Sequence, residues 1–355
     1  MASSKMPIII NCGKTMFSYR FGTFLKSVQS IGLIKCRQYS TENTAVNKER
    51  DPAPFFFNKE VQKLLMSMTG RNYQKIFRRR KDSSKLASPE YKFMTDEQLK
   101  ESMEKAERKA TKLLQMPPVV KERPTIDKVL SKDPALQGHD TAKLVITDIT
   151  FGIENHDRLI AVRETDGTLR LADWDERHRM NQIYFPVYGR EITMPKMFDQ
   201  EYLEDLFSRK EYIFILDRAC IQMDPDDPKY QEVSQSTYEY VDKNEDYDIL
   251  KSTRHFGPMV FHLVWNKNIS NLFLHNIKTE NIEDNVSLIQ LYRKLHSDIN
   301  YDNLEIEDNV KFVEEFAKEE FSETSIIPAL QAYKELVKER EELEKNIKKA
   351  HGLEE

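Results

Sequence analysis

The residue pattern of the sequence becomes strand-like near Lys143, and this change constrains the fold more than any other feature of the chain. Leu144–Ile149 and Leu159–Glu164 are runs of β-prone residues, and Asp166-Gly167 separates the second run from Thr168–Leu171. Asp-Gly between such runs is a strong hairpin signal, because both turn positions tolerate positive φ. The sequence therefore predicts a small antiparallel sheet over about residues 143–172.

The flanking sequence has the periodicity and the caps of helices. Asn58 is a good N-cap, and apolar residues follow it at helical spacing. Thr95 with Gln98, and Asp173 with Glu176, form two capping boxes. The first of these boxes predicts a helix that runs to about Met116, before a Pro-Pro pair. We predict further helices over 229–241, 255–265, 269–282, 285–296, 310–321 and 326–349. The predicted fold class is α+β, predominantly α-helical, with a small antiparallel β-sheet near the middle of the chain.

The first 41 residues differ in charge from the rest of the chain. They contain no Asp or Glu and carry six basic residues interleaved with Ser, Phe and Ile. Basic, Ser-containing and acid-free segments are typical of mitochondrial transit peptides. Arg37, Tyr39 and Ser40 resemble a matrix-protease cleavage site, so we predict import into the mitochondrial matrix. A basic tail without a targeting role is the alternative.

The remaining chain is acidic. Removing the six basic residues from 54 leaves 48 against 59 acidic ones, a net charge near −11. Affinity for nucleic acid comes largely from basic side chains that replace counterions, so such a body is a poor general polyanion binder. If the chain binds a ribonucleoprotein, we expect proteins to be its main partners and RNA contact to be local.

One basic run stands out in the acidic body, interleaved with Tyr73 and Phe77. Basic and aromatic side chains together can grip phosphates and stack bases. The alternative is a solvated basic loop that binds nothing. The candidate RNA-binding residues in this run are Arg71, Lys75, Arg78, Arg79, Arg80 and Lys81.

These features divide the chain into seven predicted segments. They are a transit peptide (1–39), a linker (40–57), an extended N-terminal helical segment with the basic run (58–142), a small β-sheet plus helix (143–198), a helical domain (199–296), an acidic linker (297–309), and C-terminal helices with a charged tail (310–355).

Signatures of catalysis and of cofactor binding are missing from the sequence. The seven glycines beyond residue 41 lie far apart, so no phosphate-cradling loop or dinucleotide fingerprint can be drawn. Cys220 is the one cysteine beyond residue 41, in an apolar setting that favours a core position. His255 and His262 are seven residues apart without an evident third metal ligand, and Asp224, Asp226 and Asp227 fit an acidic loop better than a cation site. We predict no catalytic residue, cofactor, metal, membrane span or small-molecule substrate.

Several short stretches carry a resemblance to a known family. They include Glu60–Gly70, Thr147–Ile149, Gly167–Arg170, Tyr184–Pro186, Tyr247–Gly257 and Leu288–Leu291. In these the chain resembles the animal mitochondrial small ribosomal subunit protein twenty-two family, collinearly from about residue 58 to about residue 335.

The resemblance implies a mitochondria-specific ribosomal protein without catalytic residues. Such a protein lies on the outside of the small subunit's body and contacts neighbouring ribosomal proteins and, locally, small-subunit rRNA. Its role would be structural support of mitochondrial translation. A matrix scaffold or assembly factor that binds the subunit transiently is the first alternative, and a matrix enzyme is the second.

Overall fold

The computed structural model describes residues 50–77, 91–139, 141–296, 309–321 and 325–351, and within these ranges it contains helices and one small sheet. The described helices are α1 (Ala53–Phe56), α2 (Lys59–Thr69), α3 (Tyr73–Ile76), α4 (Asp96–Leu113), α5 (Trp174–Tyr184), α6 (Gln200–Ser208), α7 (Tyr212–Gln222), α8 (Pro228–Lys243), α9 (Tyr247–Leu250), α10 (Phe256–Trp265), α11 (Ser270–Lys278), α12 (Ile282–His296), α13 (Asn309–Glu320) and α14 (Ile326–Ala350). The strands are β1 (Val129–Lys132), β2 (Leu144–Thr147), β3 (Ile160–Arg163) and β4 (Thr168–Leu171). This architecture confirms the predicted fold class.

The predicted N-caps form as expected. The Asn58 side chain accepts from the Glu60 amide at 2.9 Å, and both capping boxes close in both directions. The prediction that α4 reaches Met116 was wrong. α4 ends at Leu113, where the Leu114 amide donates to the Ala110 carbonyl at 2.9 Å and the Leu114 side chain turns into the body.

The sheet is antiparallel throughout, with strand order β1-β4-β3-β2. The hairpin between β3 and β4 forms at Asp166-Gly167 as predicted. β1 corrects the assignment of residues 58–142 to a helical segment. A register shift between Val129 and Ser131 interrupts this strand, so its strand character comes from pairing with β4.

Gly167 is required where this hairpin meets the β1 end. Its φ is +84°, and a Cβ there would lie 2.1 Å from the backbone oxygen of Asp133. We expect Gly167→Ala to destabilise the sheet by about 2 kcal/mol, because the new methyl group adds a backbone collision to the positive-φ strain. Hydrogen exchange of β1 and β4 amides should accelerate.

Gly152→Ala is the matched control for this prediction. Gly152 has a φ of +87° with no described atom within 4 Å of a built Cβ, so its replacement costs about 1 kcal/mol of conformational strain alone. Equal exchange rates in the two variants would contradict the role given to the Asp133 contact.

The main core centres on α10, whose residues from Phe256 to Trp265 are almost all buried. α2 packs against α10 and α12, and Phe56 of α1 meets Phe261 edge-on, with ring centroids 5.2 Å apart. The prediction that residues 40–57 form a linker was therefore wrong at the C-terminal end of that range, where α1 lies. Phe56 is buried and fixes α1 to the body. Burying an aromatic side chain in the core stabilises the fold more than leaving it in a solvated linker.

The sheet has a separate, small core of Ile160, Val162 and Ala172, covered by Met180 of α5. We call β1–β4 with α5 the sheet module. Arg158, at 2% exposure, is buried beside it and donates to the carbonyls of Asp148, Thr150 and Ile153. The hydrogen bonds of this buried arginine hold the β2–β3 loop, a role that an apolar side chain could not fill.

An extended strap, residues 115–128, connects α4 with the sheet module. Arg123 anchors the strap. Its guanidinium lies over the Trp174 ring, 4.4 Å from the ring centroid, and pairs with Asp227. The Arg123 amide also donates to the Asp226 carbonyl at 2.9 Å. The acidic loop around Asp224–Asp227 thus receives an arginine of the same chain, which agrees with its prediction as a loop.

α14 begins in the core and ends outside it. Ile326 and Leu330 are buried, and Arg340 forms a two-pronged pair with Glu280 at 2.6 and 2.8 Å. Beyond Arg340, residues 341–350 are all exposed. The charged end of α14 therefore lies outside the core.

Candidate functional site

The predicted RNA-binding run begins against the body of the protein. Lys75 in α3 directs its ammonium group at the end of α9, where it donates to the carbonyls of Asp248 at 2.8 Å and Ile249 at 2.7 Å. Burial lowers the pKa of Lys75, partly offset by Asp248. Lys75 thus satisfies backbone acceptors at a helix C-terminus and is not presented to a phosphate.

Arg71 also has an intramolecular partner, but a looser one. Its guanidinium pairs with Glu107 of α4 at 2.5 Å, and both side chains are about half exposed. Tyr73 and Phe77 stack on one another with ring centroids 6.2 Å apart, and the Lys109 ammonium lies 5.7 Å from the Phe77 centroid. Arg71, Tyr73 and Phe77, which belong to the predicted RNA-binding run, therefore contact other residues of the same chain.

The other candidate residues lie outside the described part of the chain. These are Arg78, Arg79, Arg80 and Lys81 of the basic run, and Arg37, Tyr39 and Ser40 of the predicted cleavage site. RNA contact by the run and cleavage of the presequence remain predictions.

α4 offers a larger accessible surface than the described basic residues. Its apolar residues Leu99, Met103 and Leu113 are 47%, 63% and 48% exposed, whereas Ala110 is the one helix residue that is buried. Its charged residues include two i,i+4 pairs, Glu101 with Lys105 and Glu104 with Arg108. This apolar stripe is thus left largely uncovered by the described residues.

The buried titratable groups form structural networks. The His255 Nε2 atom lies 2.8 Å from Asp217, and Arg254 pairs with the same carboxylate. Burial lowers the pKa of His255, which favours the neutral ring. His262 makes a separate contact with Tyr238, with ring centroids 5.8 Å apart.

Cys220 is half-buried, and its sulfur lies 3.6 Å from the Tyr230 hydroxyl. Burial raises the pKa of the thiol, so it stays protonated near neutral pH and is a poor nucleophile. No group of three or more His, Cys, Asp or Glu residues suited to a metal occurs in the described chain. Nor does any described helix combine the length and apolarity needed to cross a membrane.

Sequence reasoning missed the residues that fix the strap and the helix ends. Arg123 looks like an ordinary surface cation in the sequence, and Lys75 was predicted to bind RNA. The acidic Asp224–Asp227 loop was the one sign of a partner for Arg123. Asp242, buried at the junction of α8, α9 and α11, gave no local signal.

Comparisons with known proteins agree with one another. Residues 54–297 match the family model described as Mitochondrial 28S ribosomal protein S22. The chain is 40% identical over 286 residues to the small ribosomal subunit protein mS22 of Bos taurus, covering 79% of each chain. It is likewise 40% identical over 288 residues to the Mus musculus protein of that name, covering 80% of each.

Proposed function

Because the chain belongs to the mitochondrial 28S ribosomal protein S22 family, we propose that it is a structural component of the mitochondrial small ribosomal subunit that supports mitochondrial translation. The family match across the helical core and the sheet module carries this proposal. Membership also confirms the predicted localisation in the mitochondrial ribosome of the matrix. A structural role accords with the protonated Cys220 and the internally paired histidines, which serve packing.

Protein neighbours are the expected main partners. The uncovered stripe of α4 has the mixed apolar and charged character of a helix that packs along another protein. The acidic net charge disfavours broad RNA binding. Within the basic run, RNA contact rests on Arg78–Lys81 and the half-exposed Arg71, because Lys75 is committed to the α9 carbonyls.

Sedimentation tests the structural role. The full-length protein, tagged at its C-terminus, should co-migrate with small-subunit rRNA on a sucrose gradient of mitochondrial lysate at high salt. A transient assembly factor would leave the subunit as salt rises, since a weak charged interface is screened. Migration at the top of the gradient under both low and high salt would refute a ribosomal role.

RNA contact by the basic run has its own test. Replacing Arg78, Arg79 and Arg80 with Gln should reduce the salt-resistant incorporation of the protein severalfold, because three phosphate partners are removed. The matched control replaces Lys338, Lys345 and Lys348 of α14, which are exposed, and changes the net charge equally. Equal incorporation of the two triple variants would contradict specific RNA contact.

A further inference from the structure

The two edges of the sheet are protected unequally. The β1 edge carries Lys132 and contains a register irregularity, both of which discourage pairing with another strand. The β2 edge, Leu144–Thr147, has no charge and no proline, and it pairs with β3 in unbroken register. An exposed, regular and apolar edge is a template for strand addition.

The backbone of β2 presents a row of unused hydrogen-bonding groups. The Asp148 amide donates to the Leu159 carbonyl at 3.0 Å, which continues the β2–β3 register. By the alternation of antiparallel ladders, Ile146 and Leu144 also face β3, whereas Val145 and Thr147 direct their N–H and C=O groups outward. Within the described ranges, neither outward pair has a backbone partner.

The side chains along this edge match an incoming strand. Leu144, Val145 and Ile146 are 46%, 38% and 55% exposed, which is unusual for three successive apolar residues. Arg163 lies opposite Leu144 on β3, on the same face of the sheet. No carboxylate in the described chain pairs with Arg163, so an acidic residue of a partner would complement it.

We propose that the β2 edge is completed by an extended segment of a neighbouring protein of the small subunit, which adds a fifth strand to the sheet. Main-chain bonds to Val145 and Thr147 would supply affinity, and apolar side chains with an acidic residue near Arg163 would supply selectivity. The edge favours a polypeptide over RNA, because β2 itself carries no charged residue and its outward backbone groups call for alternating amide donors and carbonyl acceptors. This inference rests on the proposed ribosomal role and names the class of partner.

Hydrogen exchange tests the strand addition directly. Full-length protein, free and within purified small subunits, is labelled and digested into peptides that cover residues 143–149. The amides of Val145 and Thr147, whose N–H groups point outward, should exchange at least about tenfold more slowly in the subunit than in the free protein. Peptides that cover β1 should gain no such protection, and unchanged exchange over 143–149 would overturn the inference.

A pair of proline variants provides a second test. Val145→Pro removes an outward N–H without breaking the β2–β3 ladder, which is the edge position that tolerates proline. Lys132→Pro is the control, because the Asp133 amide bonds to Gly167 and so places the Lys132 N–H on the outward side of β1. Val145→Pro should lose most of its salt-resistant incorporation, whereas Lys132→Pro should keep it.

The two readouts separate this inference from the proposed function. If the wild-type protein does not sediment with the subunit, the ribosomal role fails. If it does sediment, yet the β2 amides gain no protection and Val145→Pro incorporates like Lys132→Pro, strand addition alone fails. Should Val145→Pro not fold, the exchange measurement on the wild type still decides.

Discussion

Arg123→Ala is expected to lower the free energy of unfolding by about 2 to 3 kcal/mol, because it deletes a charge-assisted hydrogen bond in a largely buried setting. The Arg123 side chain is 11% exposed, and Asp227 beside it is 18% exposed. Asp224 and Asp226 lie within 3.8 Å of the same guanidinium. Asp226 and Asp227 would lose this cation, whereas Asp224 would keep its pair with Arg190 at 2.9 Å.

The loss of stability should be largest in the region around Arg123, because this residue joins the strap, the acidic loop and α5. It fixes the strap to the acidic loop and stacks on Trp174, whose Nε1 donates to the Pro124 carbonyl at 2.8 Å. Urea unfolding gives the stability change, and hydrogen exchange should show the strap and α5 opening at lower energy than α10.

Arg108→Ala is the control, since Arg108 is 73% exposed and pairs with Glu104 on α4. Such surface pairs contribute about 0.5 kcal/mol or less. A double variant with Asp227→Ala should cost less than the sum of the single changes, because both remove one interaction. A stability loss for Arg123→Ala no larger than that for Arg108→Ala would show that the strap is not anchored here.

Asp242→Ala is expected to cost about 3 kcal/mol, because it leaves buried donors without an acceptor. The carboxylate accepts from the Tyr247 hydroxyl at 2.5 Å and from the Asn268 and Asn271 side chains at 3.0 and 3.2 Å. Burial raises the pKa of Asp242, and these three donors oppose that shift. One side chain thereby ties α8 to α9 and to the N-terminal end of α11.

Two comparisons make this prediction specific. Tyr247→Phe should cost less, about 1 to 2 kcal/mol, because the two asparagine donors still satisfy the carboxylate. Asp205→Ala removes an exposed pair with Arg209, so it should be nearly neutral. Thermal or urea unfolding measures all three, and an Asp242→Ala variant as stable as Asp205→Ala would refute the junction role.

The chain's own sequence determined its local elements. Asn58, the two capping boxes and the Asp166-Gly167 turn act within a few residues, so their signals can be read without a fold. Helix periodicity likewise located α12, α13 and α14 within a few residues. The acid-free first 41 residues and the acidic remainder indicated a mitochondrial protein with few broad RNA contacts.

The candidate sites were less predictable, because a cation's role depends on what the fold places beside it. Arg71 and Lys75 look alike in sequence, yet α9 lies close enough to take up the Lys75 ammonium and leaves Arg71 half exposed. The uncharged run of β2 predicted a strand but not an edge. Which strand ends a sheet is set by the order of pairing.

Tertiary structure alone decided β1, the strap and the buried polar junctions. Val129–Lys132 becomes a strand because β4 offers it a ladder of backbone partners. Arg123 is buried because the fold packs it against the acidic loop, which lies about a hundred residues later in the chain. Local propensities depend on a few neighbouring residues, so the sequence reveals them. Long-range hydrogen bonds and ion pairs depend on atoms that meet only when the whole chain has folded, and these decide which groups are buried, paired or left open for a partner.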